Sequence, residues 1–369
     1  MNLYVTTGFL AFFVATTLAI DVGMLTTARG QSQNAADAGA LAGAIALALD
    51  SFDDRSAGGP AVQAAASAAR ENTVIGVAVA VDPSDVTFPT APTAPDGEPN
   101  RVRVAVHRTS ARDNPLETFI SAVFGVTSVD MTAAATAEAA PANAITCVRP
   151  FTIPDRWAEN NVPPNDTFDR YDNKGDVMPD ADVYAQGVNS YDPERDKGLR
   201  LTLRAGTGNN IAPSFYYSWA MPGADGETGA DWYRENIRQC NQAVFVNGSM
   251  MTQEPGNMVG PTIQGVEDLI AQDPTAYWDP VAGVVSPQGL NSPRIKIVPL
   301  YDPNYIAQIM GGNHTLTFNN FALIFVQGVQ QQGPDEFVIG RFMYYAQGIG
   351  TTPGAGPPGS LVRVLQLVE

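Results

Sequence analysis

The chain has 369 residues, enough for two compact domains and an anchoring segment, and its 44% hydrophobic and 16% charged residues exclude wholesale disorder. It carries 38 acidic residues against 21 basic ones, a net charge of −17. Such a surface repels phosphate, which excludes nucleic acid as a partner and disfavours anionic lipid, while leaving room for divalent cations.

The chain opens on an apolar run. Leu3 to Ile20 carries no charge, and Val22, Gly23, Met24 and Leu25 continue the run past Asp21 before Arg29 is reached. About 20 apolar residues cross the hydrocarbon core as a helix, with Tyr4 suited to one interface. A cleaved signal peptide would carry a basic start and a small-x-small cleavage site. Neither is present, so an uncleaved single-pass anchor is expected. No positive charge before the run marks the cytoplasmic side. The bulk that follows is large and acidic and holds both cysteines, which places it outside the bacterial cell membrane, in the periplasm or beyond. Asp21 is either a functional ionisable group in the span or a hydrated residue at the outer interface, and the second reading is preferred.

Beyond the span the sequence is rich in alanine, the best helix former, and contains no proline, so the helix is expected to run to about Leu49. Ala36, Gly39, Ala40 and Gly43 form a flat stripe that permits close packing. That stripe could face either the chain's own small domain or neighbouring subunits.

The steps Ile20-Asp21-Val22-Gly23 and Arg29, then Gln33-Asn34-Ala35-Ala36-Asp37-Ala38-Gly39-Ala40-Leu41-Ala42-Gly43-Ala44, resemble the N-terminal signature of TadE/TadG-like proteins. Ser32 before Gln33, and Gly39 within the alanine run, depart from that pattern. The resemblance implies a membrane-anchored component of Flp (Tad) pilus assembly, either minor-pilin-like or an assembly factor. Its implied partners are other pilus subunits and the Tad secretion machinery. It implies no catalytic residues and no cofactor, and the D-x-S-x-S motif of the adhesion module found in some relatives is missing here.

Residues 50–144 read as a small α+β module. Pro60 suits the first turn of a helix over Ala61–Arg70. Val77–Val81 is β-like, 82–100 is rich in turns, and Arg101–His107 alternates as a half-buried strand does. Leu116–Phe124 reads as a short helix with Leu116, Phe119, Ile120, Val123 and Phe124 on one side. A strand over Val126–Ala137 and an Ala/Pro linker at Ala139–Ala144 follow. This order resembles the heads that follow long N-terminal helices in pilin-like proteins.

Residues 145–369 read as a β-rich, sandwich-like or barrel-like domain, making the whole an α+β chain after a long anchor and stalk helix over 1–49. Strands are expected at Leu199–Leu203, Ala243–Val246, Arg294–Leu300, Thr315–Phe318, Ala322–Val329, Phe337–Tyr345 and Leu361–Val368. Helices are expected near Trp232–Ile237, Val266–Gln272 and Pro303–Met310. Cys147 and Cys240, an even pair in an exported domain, are expected to form a disulfide whose loop restricts the unfolded chain by ~4–5 kcal/mol.

The best ligand candidate is the acidic stretch from Asp166 to Asp182, where Asp169, Asp172, Asn173, Asp176 and Asp182 around Gly175 suit Ca2+, although the spacing is not that of an EF-hand. It supports an alternative function, a Ca2+-dependent binding or adhesin module on a membrane stalk. Enzyme motifs are absent, and the two histidines, His107 and His314, lie in different modules, so a histidine-based triad is not expected. A hydrolase using paired carboxylates finds no spacing that singles out a pair.

Overall fold

A computed structural model of the chain describes residues 2–92, 97, 99–118, 121–172, 174–206, 211–223, 226–256, 258–304, 315–332, 335–348, 356–357 and 359–368. The chain divides into two compact units, Met1–Ala139 with Leu365–Glu369, and Ala140–Val364. It passes from one unit to the other twice, near Ala139 and near Val364.

The first unit is built on α1, Asn2–Leu49, a single helix of 48 residues. At 1.5 Å per residue that is ~72 Å of helix, more than twice the depth of a hydrocarbon core. Val5–Leu49 is long and apolar enough to cross a membrane. After a turn, α2 (Pro60–Arg70) begins with proline at its first position and buries Ala61, Val62, Ala65, Ala66 and Ala69.

The remaining elements are short strands β1 (Thr73–Val74), β2 (Val77–Ala78) and β3 (Val86–Thr87), then β4 (Arg101–Arg108), β5 (Leu116–Glu117), β6 (Ser128–Val129) and β7 (Met131–Pro141). β4 pairs antiparallel with β3 on one side and β7 on the other. Its alternation is as expected: Val102, Val104 and Val106 are buried, while Arg103 is exposed. Both helices lie against this sheet.

Two expectations here are corrected. Leu116–Phe124 is not one helix: Leu116–Glu117 pairs with Ser128–Val129 as a hairpin, and only Ser121–Phe124 forms a 3-10 turn. Apolar spacing alone suggested the helix, but strand pairing to residues a dozen positions away competes with it. The expected linker at Ala139–Ala144 is buried chain, with β7 running through Pro141 and Ala139, Ala140 and Ala142 fully enclosed.

The second unit contains β8 (Ala144–Ile145), β9 (Phe151–Pro154), α3 (Pro193–Asp196), β10 (Arg200–Ala205), β11 (Phe215–Ser218), α4 (Ala230–Arg238), β12 (Phe245–Val246), β13 (Met250–Thr252) and α5 (Val259–Gln272). It continues with β14 (Tyr277–Asp279), β15 (Val284–Ser286), β16 (Ile295–Tyr301), β17 (Thr315–Gln332), β18 (Asp335–Phe342), β19 (Ala346–Gln347) and β20 (Val362–Leu367), whose last residues return to the first unit.

The main sheet runs β13-β17-β16-β9-β11-β10-β18, and β18 also pairs with β17. Six strands therefore close on themselves, which removes the free edges an open sheet would carry. Within it β10–β11 and β9–β16 are parallel and the other pairs antiparallel. The unit is β-rich and the chain α+β, as the sequence implied.

β17 is one strand where two were expected. Asn319 and Asn320 look like a break, yet Asn320 is fully buried inside the strand. Its side chain accepts from the Phe321 and Leu361 N–H groups and donates to the Gly359 carbonyl at 2.8 Å, so the amide is satisfied and the strand continues. α5 starts earlier than expected because Pro261 falls in its first turn, where its missing N–H costs nothing. The residues expected as a helix at Pro303–Met310 lie mostly outside the described residues.

The core of this unit is aromatic. Trp219, Phe245, Phe318 and Phe321 pack with Tyr217 and Tyr301, with Trp219 and Phe318 ring centres 5.0 Å apart. Such edge-to-face pairs add ~0.5–1.5 kcal/mol each beyond their burial.

Candidate functional site: the seat of the anchor helix

The second half of α1 is fixed by small residues meeting small residues. Ala36, Ala40, Ala44 and Ala48 are fully buried, at the four-residue spacing that keeps them on one face. A Cβ on Gly39 would lie 2.9 Å from the Ala65 carbonyl oxygen and 3.0 Å from the Ala69 Cβ. A Cβ on Gly43 would lie 2.7 Å from Val102 Cγ1 and 3.0 Å from the Ala65 Cβ. Gly39 and Gly43 thus let α1 cross Ala61, Ala65 and Ala69 of α2 and the valine face of β4 at backbone range. This decides between the two readings of the stripe: it packs on the chain's own small domain. Neither Gly39, a departure from the family pattern, nor Gly43 leaves room for an alanine Cβ without a shift of its neighbours.

Polar residues of the signature flank this seat. Gln33 Nε2 donates to Asp37 Oδ1 one turn along, at 2.8 Å, and to the Ala134 carbonyl of β7 at 3.2 Å. Gln31 Oε1 accepts from the Ile75 N–H at 2.8 Å. Ala35 is buried, Leu41 half-buried and Asn34 exposed on the far side.

Asp21 departs from the preferred reading of a hydrated interfacial residue, for it is buried and only 3% exposed. One carboxylate oxygen accepts from the Ser121 N–H at 2.6 Å and from the Ser121 hydroxyl, capping the 3-10 turn. No local pattern points to this partner, which stands 100 positions away.

The first half of α1 is bare by contrast. Phe9 and Phe12 are each 71% exposed, and Ile20 and Val22 each 51%. The hydroxyls of Thr16, Thr26 and Thr27 bond back to carbonyls four residues earlier, as they do in apolar surroundings.

In the second unit Cys147 and Cys240 are joined by a disulfide, as expected. Beside it the buried Arg149 donates to the carbonyls of Asn236 and Ile237, both at 2.8 Å, and of Gln239, so a guanidinium closes the C-terminus of α4. Burial lowers Arg149 to about 10, and burial together with the Arg149 charge lowers Lys296 to about 8.

The candidate Ca2+ residues are placed as follows. Buried Asp182 accepts from the Asn160 N–H at 2.8 Å and the Asp169 N–H at 2.9 Å. Asp169 Oδ2 accepts from Asn165 at 2.6 Å. Asp172 Oδ1 accepts from the N–H groups of Lys174 and Asp176, at 2.8 and 2.9 Å, across the turn at Gly175. Asp176 is exposed, and Asn173 lies outside the described residues. These carboxylates fold their own loop, and among the described residues no group of three or more His, Cys, Asp or Glu is gathered for a metal.

Sequence reasoning missed a second feature nearby. Fully buried Asp155 accepts from the N–H groups of Arg156 and Tyr191, the Tyr184 hydroxyl and the Asn319 amide. Burial nevertheless raises its carboxyl to about 6. It borders a cleft of about 410 Å³ lined by Arg156, Trp157, Glu159, Leu201 and Pro213 among others. Four donors of its own chain enclose Asp155, which suits it to holding the cleft wall rather than to proton transfer.

Residues 3–46 match the family model for putative Flp pilus-assembly TadE/G-like proteins. The N-terminal region of this chain is TadE/G-like. The match falls wholly within α1 and takes in both the bare half and most of the seated half, and it associates the chain with Flp pilus assembly. No curated protein and no solved structure matches the chain significantly.

Proposed function

We propose that the protein is a membrane-anchored, minor-pilin-like structural or assembly component of a Flp/Tad-type pilus, with its bulk outside the cytoplasmic membrane. The observation that carries this reading is the TadE/G-like match over a single helix that is bare and apolar in its first half and locked to a folded head in its second. The disulfide supports the placement, since such bonds persist in oxidising compartments. Other pilus subunits and the assembly machinery are the partners that fit, and the role is structural rather than enzymatic.

Deleting the gene in its native host tests the reading. Pili and surface attachment are expected to be lost, and to return with the full chain. Normal pili and attachment in the deletion strain would contradict it.

A further inference from the structure

The uncharged part of α1 extends from Leu3 to Ala28, interrupted only by Asp21. That is ~39 Å of helix, longer than a hydrocarbon core of ~30 Å, which takes ~20 residues. Wherever a window of that length falls between Leu3 and Ala28, Asp21 lies inside it. Ser121 is bonded to Asp21 by both its N–H and its hydroxyl, so the turn that carries Ser121 sits at the same depth.

That turn suits an apolar medium. Residues 118–127 carry no charge. Several of its backbone N–H groups are paired within the turn: Gly125 N–H donates to Ala122 O at 3.1 Å, Val126 N–H to Ser121 O at 3.0 Å, and Thr118 N–H to Thr127 O at 3.1 Å. The Thr118 hydroxyl donates to the Val126 carbonyl. Backbone outside a helix enters hydrocarbon only when its polar groups are paired within the protein. Val126 is half exposed at 50%, as Ile20 and Val22 are on α1 at 51% each. A groove of about 660 Å³ runs alongside, lined by Met24, Val77, Leu116 and Thr118 and by the charged Arg108, Asp113 and Glu117.

We propose that the Ser121–Thr127 turn inserts beside α1 into the outer leaflet of the membrane, where Val126 meets lipid acyl chains and the Asp21–Ser121 pair is its latch. This rests on the anchor reading given above. The pair gives the Asp21 carboxyl two donors within the span. Because residues 118–127 carry no charge, the contact is apolar and does not require anionic lipid.

The test uses the full-length chain reconstituted in phosphatidylcholine vesicles, with an environment-sensitive fluorophore on a single added cysteine. Positions are Phe9→Cys in the span, Val126→Cys in the turn, and Val281→Cys as a water-exposed reference, 96% exposed. Spin-labelled lipids then quench the probe from either the headgroup end or the middle of the chains. Val126→Cys is expected to be blue-shifted relative to Val281→Cys and quenched most by the shallow label. Phosphatidylglycerol should leave that result unchanged. Adding Asp21→Ala should release the turn and lose most of the Val126 quenching while Phe9 stays quenched.

If Phe9 is quenched and Val126 behaves like Val281, the insertion is overturned and the anchor stands. If Phe9 also resembles Val281, the anchor reading fails and the insertion with it. Protection of Val126 only when pilus proteins are added would assign the turn to a protein partner and overturn the lipid contact. Ala122→Cys, on the same turn, serves as a second probe should Val126→Cys fold poorly.

Discussion

The two units solve the problem of burial in opposite ways. The first seats a helix on a sheet with alanine and glycine, so its core is thin and its strength lies in close backbone approach: Gly39, Gly43, Ala61, Ala65 and Ala69 all meet at one crossing. The second closes a ring of strands around Trp219, Phe318, Phe321 and Tyr301 and adds a disulfide. Small-residue contacts gain little from hydrophobic area, at about 25 cal/mol per Å², and much from shape. The aromatic core gains from both. Close packing together with the hydrogen bonds of Asp21, Gln31 and Gln33 fixes α1 on its own unit, whereas the second unit rests on aromatic packing and a disulfide.

Replacing both Cys147 and Cys240 with alanine sharpens that contrast most. All four tryptophans, at 157, 219, 232 and 278, lie in the second unit, so tryptophan fluorescence in urea follows that unit alone. Loss of a loop spanning 93 positions is expected to lower its stability by ~4–5 kcal/mol, less any strain released. Far-ultraviolet dichroism dominated by α1 should keep its midpoint. A shift of both signals together would show that the units unfold as one.

A smaller effect is expected at Lys296. Its folded value of about 8 is depressed from 10.5, so between those values the unfolded chain binds more protons and stability rises with pH. Below pH 8 the buried charge costs the second unit about 1–3 kcal/mol, allowing for its partial exposure. Lys296→Met should raise the fluorescence midpoint at pH 7 and flatten its rise between pH 7 and 9.5. An unchanged slope would mean that the ammonium is hydrated.

What was legible in the sequence is what depends on local pattern. The apolar run and the proline-free alanine stretch gave α1 to Leu49, and the alternation of Val102, Val104 and Val106 gave β4. The cysteine pair followed from count and compartment. What was hidden depends on partners far along the chain. Ser121 reaches Asp21, Asn319 donates to Asp155, Asn320 is satisfied by Gly359 and Leu361, and Arg149 closes a helix some ninety positions away. Short polar side chains look alike in sequence whether they end an element or sustain it, because the hydrogen-bond partner decides.

The second half of α1 is seated on the chain's own sheet rather than left open for a neighbouring subunit. Hydrogen exchange of the full-length protein in detergent micelles, without any pilus partner, measures this directly. Amides of Gln33–Leu49 are expected to exchange as slowly as those of β4 and to be released together with them, since one packed unit opens cooperatively. Rapid exchange across Gln33–Leu49 while β4 stays protected, slowed only when other pilus subunits are added, would contradict the account.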